Sequence, residues 1–270
     1  QAPAAPTTPT TVPATALPTS GVPAAVPTGT SGPQAVATPS ANAPVVRLRN
    51  DVLDLQLDGA RVVRAELLAY RQTRDAGSPP VVLFNTDPAQ AFTASSIWRG
   101  ANGQAIPLQP EGATREQALA DGASQVEAVF SGRLADGVTL RRTYRLARGS
   151  YALQVRDEVR NTGAGSWTGD IDRVLERIPP VVKSGMTNPE AFSLNGAAWW
   201  SPEEKYEKRK YPDFVEDGPL DQQVTGGWVG LSQHYFLGAW IPQKDQPALF
   251  ALGTRGSLHS IAARGPRVTL

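Results

Sequence analysis

Residues 125–160 read QVEAVFSGRLADGVTLRRTYRLARGSYALQVRDEVR, and their parity decides the fold. Val126, Ala128 and Phe130 alternate with Gln125, Glu127 and Val129. Val138, Leu140, Tyr144 and Leu146 share one face, opposite Thr139, Arg141, Thr143 and Arg145. Tyr151, Leu153, Val155 and Val159 oppose Gln154, Arg156, Glu158 and Arg160. Successive side chains on a strand point to opposite faces, so each run reads as a half-buried strand. Asp136-Gly137 and Arg148-Gly149-Ser150 separate the runs as turn signals. Alternating strands joined by short turns predict an antiparallel sheet with one face on a core.

The same period continues upstream, where Leu53, Leu55 and Leu57 alternate with Asp54, Gln56 and Asp58 before an Asp58-Gly59 turn. Helical pattern is scarce. Thr114 to Ala120 is one candidate and the segment after Ser201 another. There, Ser201-Pro202-Glu203-Glu204 fits a capping box, with the Ser201 hydroxyl accepting from the Glu204 backbone N–H. Pro179, Pro180, Pro189, Pro212, Pro219, Pro242 and Pro247 exclude long helices from the C-terminal half. The expectation is an all-β domain over residues 45–270, a large antiparallel β-sandwich with one or two short helices.

Residues 1–44 contrast with this. They are almost entirely Ala, Pro, Thr, Val, Ser and Gly, and no charged or aromatic residue precedes Arg47. Such a segment has too little to bury to offset its ordering entropy. It reads as a disordered, partly polyproline-II linker reaching on the order of 100 Å if extended at ~3.1 Å per residue. A glycosylated, mucin-like stalk is the other compositional reading. Gln1 stands where an initiator Met is expected, so the simplest reading is a piece of a longer or processed protein.

Net charge is +1, from 26 basic and 25 acidic residues, which gives no electrostatic reason to expect nucleic acid or an anionic membrane surface. The absence of cysteine excludes disulfides, thiolate catalysis and Cys-ligated zinc. No window holds the ~18 apolar residues a membrane-spanning helix requires.

Candidate chemistry is thin. His234 and His259 are the only histidines, too few and too separated to predict a catalytic pair. Asp170 and Asp172 share a strand face and read as solvated charge, as do Glu216 and Asp217; Glu203 and Glu204 are explained by the capping box. Gly163-Ala164-Gly165 and Gly226-Gly227 open no long helix, so no phosphate cradle is expected, and no G-x-S-x-G elbow occurs. No catalytic residue, metal or cofactor is assigned.

Aromatics carry the remaining signal. Residues 195–245 hold four of the six tryptophans: Trp199, Trp200, Trp228 and Trp240. Trp228 and Trp240 are expected in the core. Trp199 and Trp200 are adjacent and must face opposite ways on a strand, so one of them is available to a groove, a partner or a sugar ring. Lys205, Lys208, Arg209 and Lys210 are interleaved with Tyr206, Tyr211 and three glutamates. That mixture reads as a solvated edge or as a docking edge for another protein. The candidate partner or groove contacts are Trp199, Trp200, Tyr206, Lys208, Tyr211 and Tyr235.

Two blocks in this region, GAAWWSPEEKYEKRKYPDF (196–214) and GGWVGLSQHYFLGAWIP (226–242), closely resemble the periplasmic domain of bacterial YidC-type membrane protein insertases. Weaker similarity covers VLDLQLDGARVVRAELLAY (52–70), TLRRTYRLARGSYALQVRDEVRN (139–161) and the RIPP of residues 177–180. The resemblance implies a super-sandwich related to galactose mutarotases, held in the periplasm by the rest of an inner-membrane protein. It implies a non-catalytic role in inserting and folding inner-membrane proteins, alone or with the Sec translocon. Nascent membrane proteins and Sec accessory subunits are the implied partners. The alternative is a secreted carbohydrate-binding or mutarotase-like protein, which would need an exposed aromatic platform or a His/Glu pair. A third reading is a peptide-holding chaperone module that uses a sheet edge or groove.

Overall fold

The computed structural model describes residues 44–181, 193–233 and 235–270. The expected linker, apart from Pro44, lies outside the described residues, as does His234. The chain begins with β1 (Val46–Arg49), β2 (Leu53–Leu57), β3 (Arg61–Arg71), β4 (Pro80–Phe84) and β5 (Phe92–Gly100). Short β6 (Gln109–Pro110) and β7 (Glu116–Ala118) precede β8 (Gln125–Arg133), β9 (Val138–Ala147), β10 (Leu153–Asn161) and β11 (Thr168–Arg177). Then come β12 (Gly196–Ser201), β13 (Lys205–Lys210), α1 (Asp213–Glu216), β14 (Asp221–Thr225), β15 (Trp228–Gln233) and β16 (Phe236–Trp240). β17 (Pro247–Arg255), β18 (Leu258–Arg264) and β19 (Val268–Thr269) end the chain.

These strands make three sheets. The large one has eleven strands in the order β14-β17-β18-β11-β5-β3-β2-β1-β7, with β4 beside β3 and β19 beside β11. Two four-stranded sheets run β10-β9-β8-β6 and β13-β12-β15-β16. The parity of residues 125–160 holds. β8 and β9 pair antiparallel with Ala128 opposite Tyr144, and β9 and β10 pair with Val155 opposite Tyr144. Val126, Ala128, Phe130, Val138, Leu140, Tyr144 and Leu146 are all buried.

Both small sheets pack against the large one. The Tyr144 hydroxyl donates to the Gly59 carbonyl at 2.8 Å. Gly59 has φ 92°, and a Cβ there would sit 2.9 Å from the Leu108 carbonyl oxygen, so the Asp58-Gly59 turn requires glycine. The other small sheet is seated by Trp240, whose Nε1 donates to the Val174 carbonyl at 3.2 Å. Its Gly238 lies against Phe84 and Phe92, where a Cβ would come within 2.9 Å and 3.0 Å of the two rings. One hydrophobic cluster joins all three sheets through residues such as Leu55, Phe250, Phe130, Leu140, Val229 and Leu231.

Three local expectations are corrected. Residues 116–118 form β7, paired parallel with β1, and not a helix. The Ser201 hydroxyl does accept from the Glu204 N–H, at 3.0 Å, but the bond closes a hairpin turn and a strand follows. Pairing of β13 with β12 along its whole length outweighs the local helix signal. The described residues hold a single short helix, α1, one turn further on. Trp228 is half-buried and not part of the core, whereas Trp240 packs against it.

Candidate functional site

The second small sheet places the candidate aromatics. β12 pairs with β13 on one side and β15 on the other, which sets Trp200 opposite Tyr206 and opposite Trp228. Cross-strand partners share a face, so Tyr206, Trp200 and Trp228 form one aromatic row. The Tyr206 and Trp228 rings are 6.3 Å apart, and the Lys205 ammonium lies 5.9 Å from the Trp200 ring. Tyr206 and Lys208 are exposed and Trp200 is half-buried. These three remain on the surface.

Trp199 and Tyr211 do not. Trp199 points to the opposite face, is buried, and lies under the Arg209 guanidinium. Tyr211 is buried against Phe214 and His259, with ring centroids 5.5 Å and 5.1 Å away. Burial pushes its hydroxyl up to about 12, against the pull of neighbouring Arg177. Strand alternation removes Trp199 from the surface, and the chain turning into α1 folds Tyr211 inward. Both side chains lie inside the domain.

Tyr235, the sixth candidate, lies 83% exposed on the other side of this sheet, at the rim of a cleft of about 1690 Å³. The cleft opens between β10 and β16, which are edge strands of different sheets. Its floor is the large sheet, including Leu55, Ala65 and Leu67. Tyr70 bridges the walls at one end, 6.0 Å from Tyr151 and 5.3 Å from Phe236. Leu237 (44% exposed) and Ile241 (74%) stand along the β16 rim.

Buried charge lies on β9, β10 and β11. Arg142, fully buried on the apolar face of β9, donates twice to Asp157 at 2.6 Å and to the Ser96 carbonyl at 2.6 Å. Burial opposes its charge, but Tyr144 and Asp157 outweigh that and raise its pKa. Asp157 also accepts from Trp98 Nε1 at 2.9 Å, so both its oxygens are committed. Arg173 and Arg177 on β11 line the cleft with no carboxylate partner among the described residues, and burial lowers the pKa of both. Sequence reading passed over these arginines and the Leu237/Ile241 rim. The available signal was an arginine at a buried parity position, as at 142 between Leu140 and Tyr144.

The carboxylates act structurally. Asp172 accepts from Arg264 at 2.7 Å, and Asp170 lies 4.0 Å from Arg267. Burial and then Asp172 push the Asp170 carboxyl up. Among the described residues no cluster of three or more His, Cys, Asp or Glu is placed to hold a metal ion. His259 is packed against Tyr211 and Phe214. No helix of the described residues is long and apolar enough to cross a membrane.

Comparison with known proteins accords with this architecture. Membrane protein insertase YidC of Xanthomonas euvesicatoria pv. vesicatoria (strain 85-10) is 44% identical over 260 residues, covering 94% of this chain and 44% of that protein. The same-named protein of Xanthomonas axonopodis pv. citri (strain 306) is 44% identical over 256 residues, 93% of this chain and 44% of its own length. That of Stenotrophomonas maltophilia (strain R551-3) is 43% identical over 246 residues, 88% and 42% of the two chains. The chain thus spans less than half the length of these relatives. They and the family imply an inner-membrane protein with this domain in the periplasm. Residues 45–270 match the family model described as YidC periplasmic domain, and the chain belongs to that family.

Proposed function

We propose that this domain is a non-catalytic part of a membrane protein insertase, supporting the insertion and folding of inner-membrane proteins alone or beside the Sec translocon. The observation that carries the reading is the 44% identity to a membrane protein insertase along 94% of the chain. The fate of the buried charges supports the non-catalytic part: Arg142, Asp157, Asp172 and Arg264 are spent on one another across strands. In this reading the row Tyr206, Trp200 and Trp228, with Lys208 beside it, is the docking face for Sec accessory subunits. Half-buried aromatics flanked by cations are frequent interface anchors. The sugar-binding alternative gains no support from His259, which is packed between aromatic rings.

The test uses the full-length protein in its own membrane, with a photo-crosslinking residue replacing Tyr206 or Lys208 in turn. Adducts with Sec accessory subunits are expected from both positions, and a replacement at exposed Arg156 on β10 serves as the control. If 206 and 208 give no more adduct than 156, the docking face is wrong.

A further inference from the structure

The outer face of the sheet formed by β8, β9 and β10 is basic. One parity of these strands is buried against the core, so the other points to solvent. That outer parity carries Arg133 on β8, Arg141 and Arg145 on β9, and Arg156 and Arg160 on β10, against Glu127 and Glu158. Five arginines and two glutamates give the face a clear positive charge, whereas the whole chain carries only +1. The near balance of the chain hides a segregation: this face is basic and the remainder is net acidic.

Strand register spreads the arginines over the face. Arg145 stands between Glu127 and Gln154, Arg141 between Ser131 and Glu158, and Arg133 and Arg160 flank Thr139. At ~3.4 Å per residue, the length of β9 makes the face about 30 Å long. The two glutamates do not neutralise it. Glu127 is 2.6 Å from Arg145, while Glu158 is shared, 3.3 Å from Arg156 and 3.5 Å from Arg160. The Arg156 and Arg160 side chains are 77% and 75% exposed, so these pairs are weak and exchange readily for another anion. Three more carboxylates lie at the rim, outside the strands. Glu111 is 3.4 Å from Arg141, Asp136 accepts from the Val138 N–H of its own turn, and Asp121 sits in the turn before β8. Arg148, also at the rim, donates to the carbonyls of Ala120 and Ala123.

The face has no aromatic residue, and Val129 is its one branched aliphatic. Protein interfaces are anchored by large side chains such as Trp and Tyr, which here stand on the other small sheet. Arginines spread among Thr, Ser and Gln suit a broad anionic surface that offers no pocket to fill. The guanidinium is weakly hydrated and meets phosphate oxygens through two parallel N–H bonds. The family places such a surface beside the domain, since the domain belongs to an inner-membrane protein.

We propose that the outer face of β8, β9 and β10 rests on the phosphate headgroups of an anionic phospholipid bilayer, with Arg141, Arg156 and Arg160 as the main contacts. Each arginine near such a surface adds to the attraction, so binding is graded by charge and screened by salt. The inference rests on membership of the family and not on the docking row at Tyr206.

The test is vesicle flotation with the 270-residue chain. At about 0.05 M sodium chloride, phosphatidylcholine vesicles containing about one third phosphatidylglycerol should bind the chain about tenfold or more tightly than phosphatidylcholine alone. Raising the salt to about 0.5 M, where the screening length is about 4 Å, should release it. Arg156→Gln with Arg160→Gln should weaken binding about tenfold. Arg156→Lys with Arg160→Lys keeps the charge and should retain most of the binding, which separates lost charge from a damaged fold. Arg74→Gln with Lys244→Gln removes the same charge from exposed positions off this face and should leave binding unchanged. Equal loss in the two glutamine pairs overturns the face as the contact, because net charge alone then accounts for binding. Absence of binding to the mixed vesicles at low salt overturns the bilayer as the occupant, in favour of an acidic protein. Neither failure touches the crosslinking test at Tyr206, which reads the other small sheet.

Discussion

β13 and β16 are the two edges of one four-stranded sheet, and they are built on opposite plans. Both follow a tight hairpin turn with a non-glycine residue in the left-handed region, Lys205 at φ 67° and Tyr235 at φ 75°. β13 then presents Lys205, Glu207, Lys208 and Lys210 to solvent. Charges along an edge resist pairing with a stray strand, so this edge is guarded by its side chains. β16 reads FLGAW without a charge. Its guard is position: it faces β10 across a cleft instead of open solvent. The β13 edge is thus lined by charged side chains, and the β16 edge carries none.

The largest expected effect concerns the wall opposite β16. β10 is tied down by the Arg142–Asp157 pair, while β16 is seated on the large sheet by the Trp240 hydrogen bond and apolar packing. Asp157→Asn leaves a fully buried guanidinium without its counter-charge. The expected loss in urea unfolding is about 3–5 kcal/mol. A loss below about 1 kcal/mol would show that solvent reaches Arg142 and that the two walls are not held differently.

Next is Gly238→Val on β16. The new side chain meets Phe84 and Phe92, whose rings stand 4.5 Å apart and edge-on. Overpacking of this kind costs about 1–3 kcal/mol. Glu207→Val at the exposed edge should stay within about 0.5 kcal/mol. Equal effects at the two positions would erase the contrast between a packed edge and a solvated one.

The guard itself is tested by exchanging it. Lys208→Val with Lys210→Val strips charge from β13 and should promote self-association in sedimentation velocity. Leu237→Lys with Ile241→Lys charges the β16 rim and should leave the chain monomeric and its stability within about 0.5 kcal/mol. If the first pair stays monomeric at the same concentration, charge is not what protects β13.

What the sequence revealed follows the same division. Strand parity in residues 125–160 and 53–57 was legible because one face of each strand is core and the other solvent. The segment after Ser201 was misread because its capping-box residues serve a hairpin turn equally well, and only the pairing with β12 decides between them. Trp199 and Trp200 could be assigned to opposite faces but not told apart, since which face is buried depends on the sheet beneath. Tyr211 looked like part of the KYEKRKY run, and only the turn into α1 takes it inside. The cleft was invisible because its walls come from residues about 80 apart, Leu153 and Leu237 among them, that nothing local connects.

The smallest expected effect separates the two faces of β11. Arg173 and Arg177 face the cleft, and Glu176, of the other parity, pairs in register with Thr93 and Ser260. Burial pushes the Glu176 carboxyl above its ordinary 4.5, with Arg255 and Arg61 pulling it back. A raised folded pKa means the folded chain holds a proton that the unfolded chain has released. The stability this contributes is full below about 4.5 and is lost as pH rises through the raised value. Glu176→Gln fixes the group neutral, so the variant should melt higher than the parent at pH 7, and the gap should narrow as pH falls toward the ordinary 4.5. Arg177→Gln, one residue away, should show a gap that does not change over the same range, because an arginine stays charged throughout it. A pH-independent gap at Glu176 would assign its effect to packing, and the two faces of β11 would then differ in shape and not in charge.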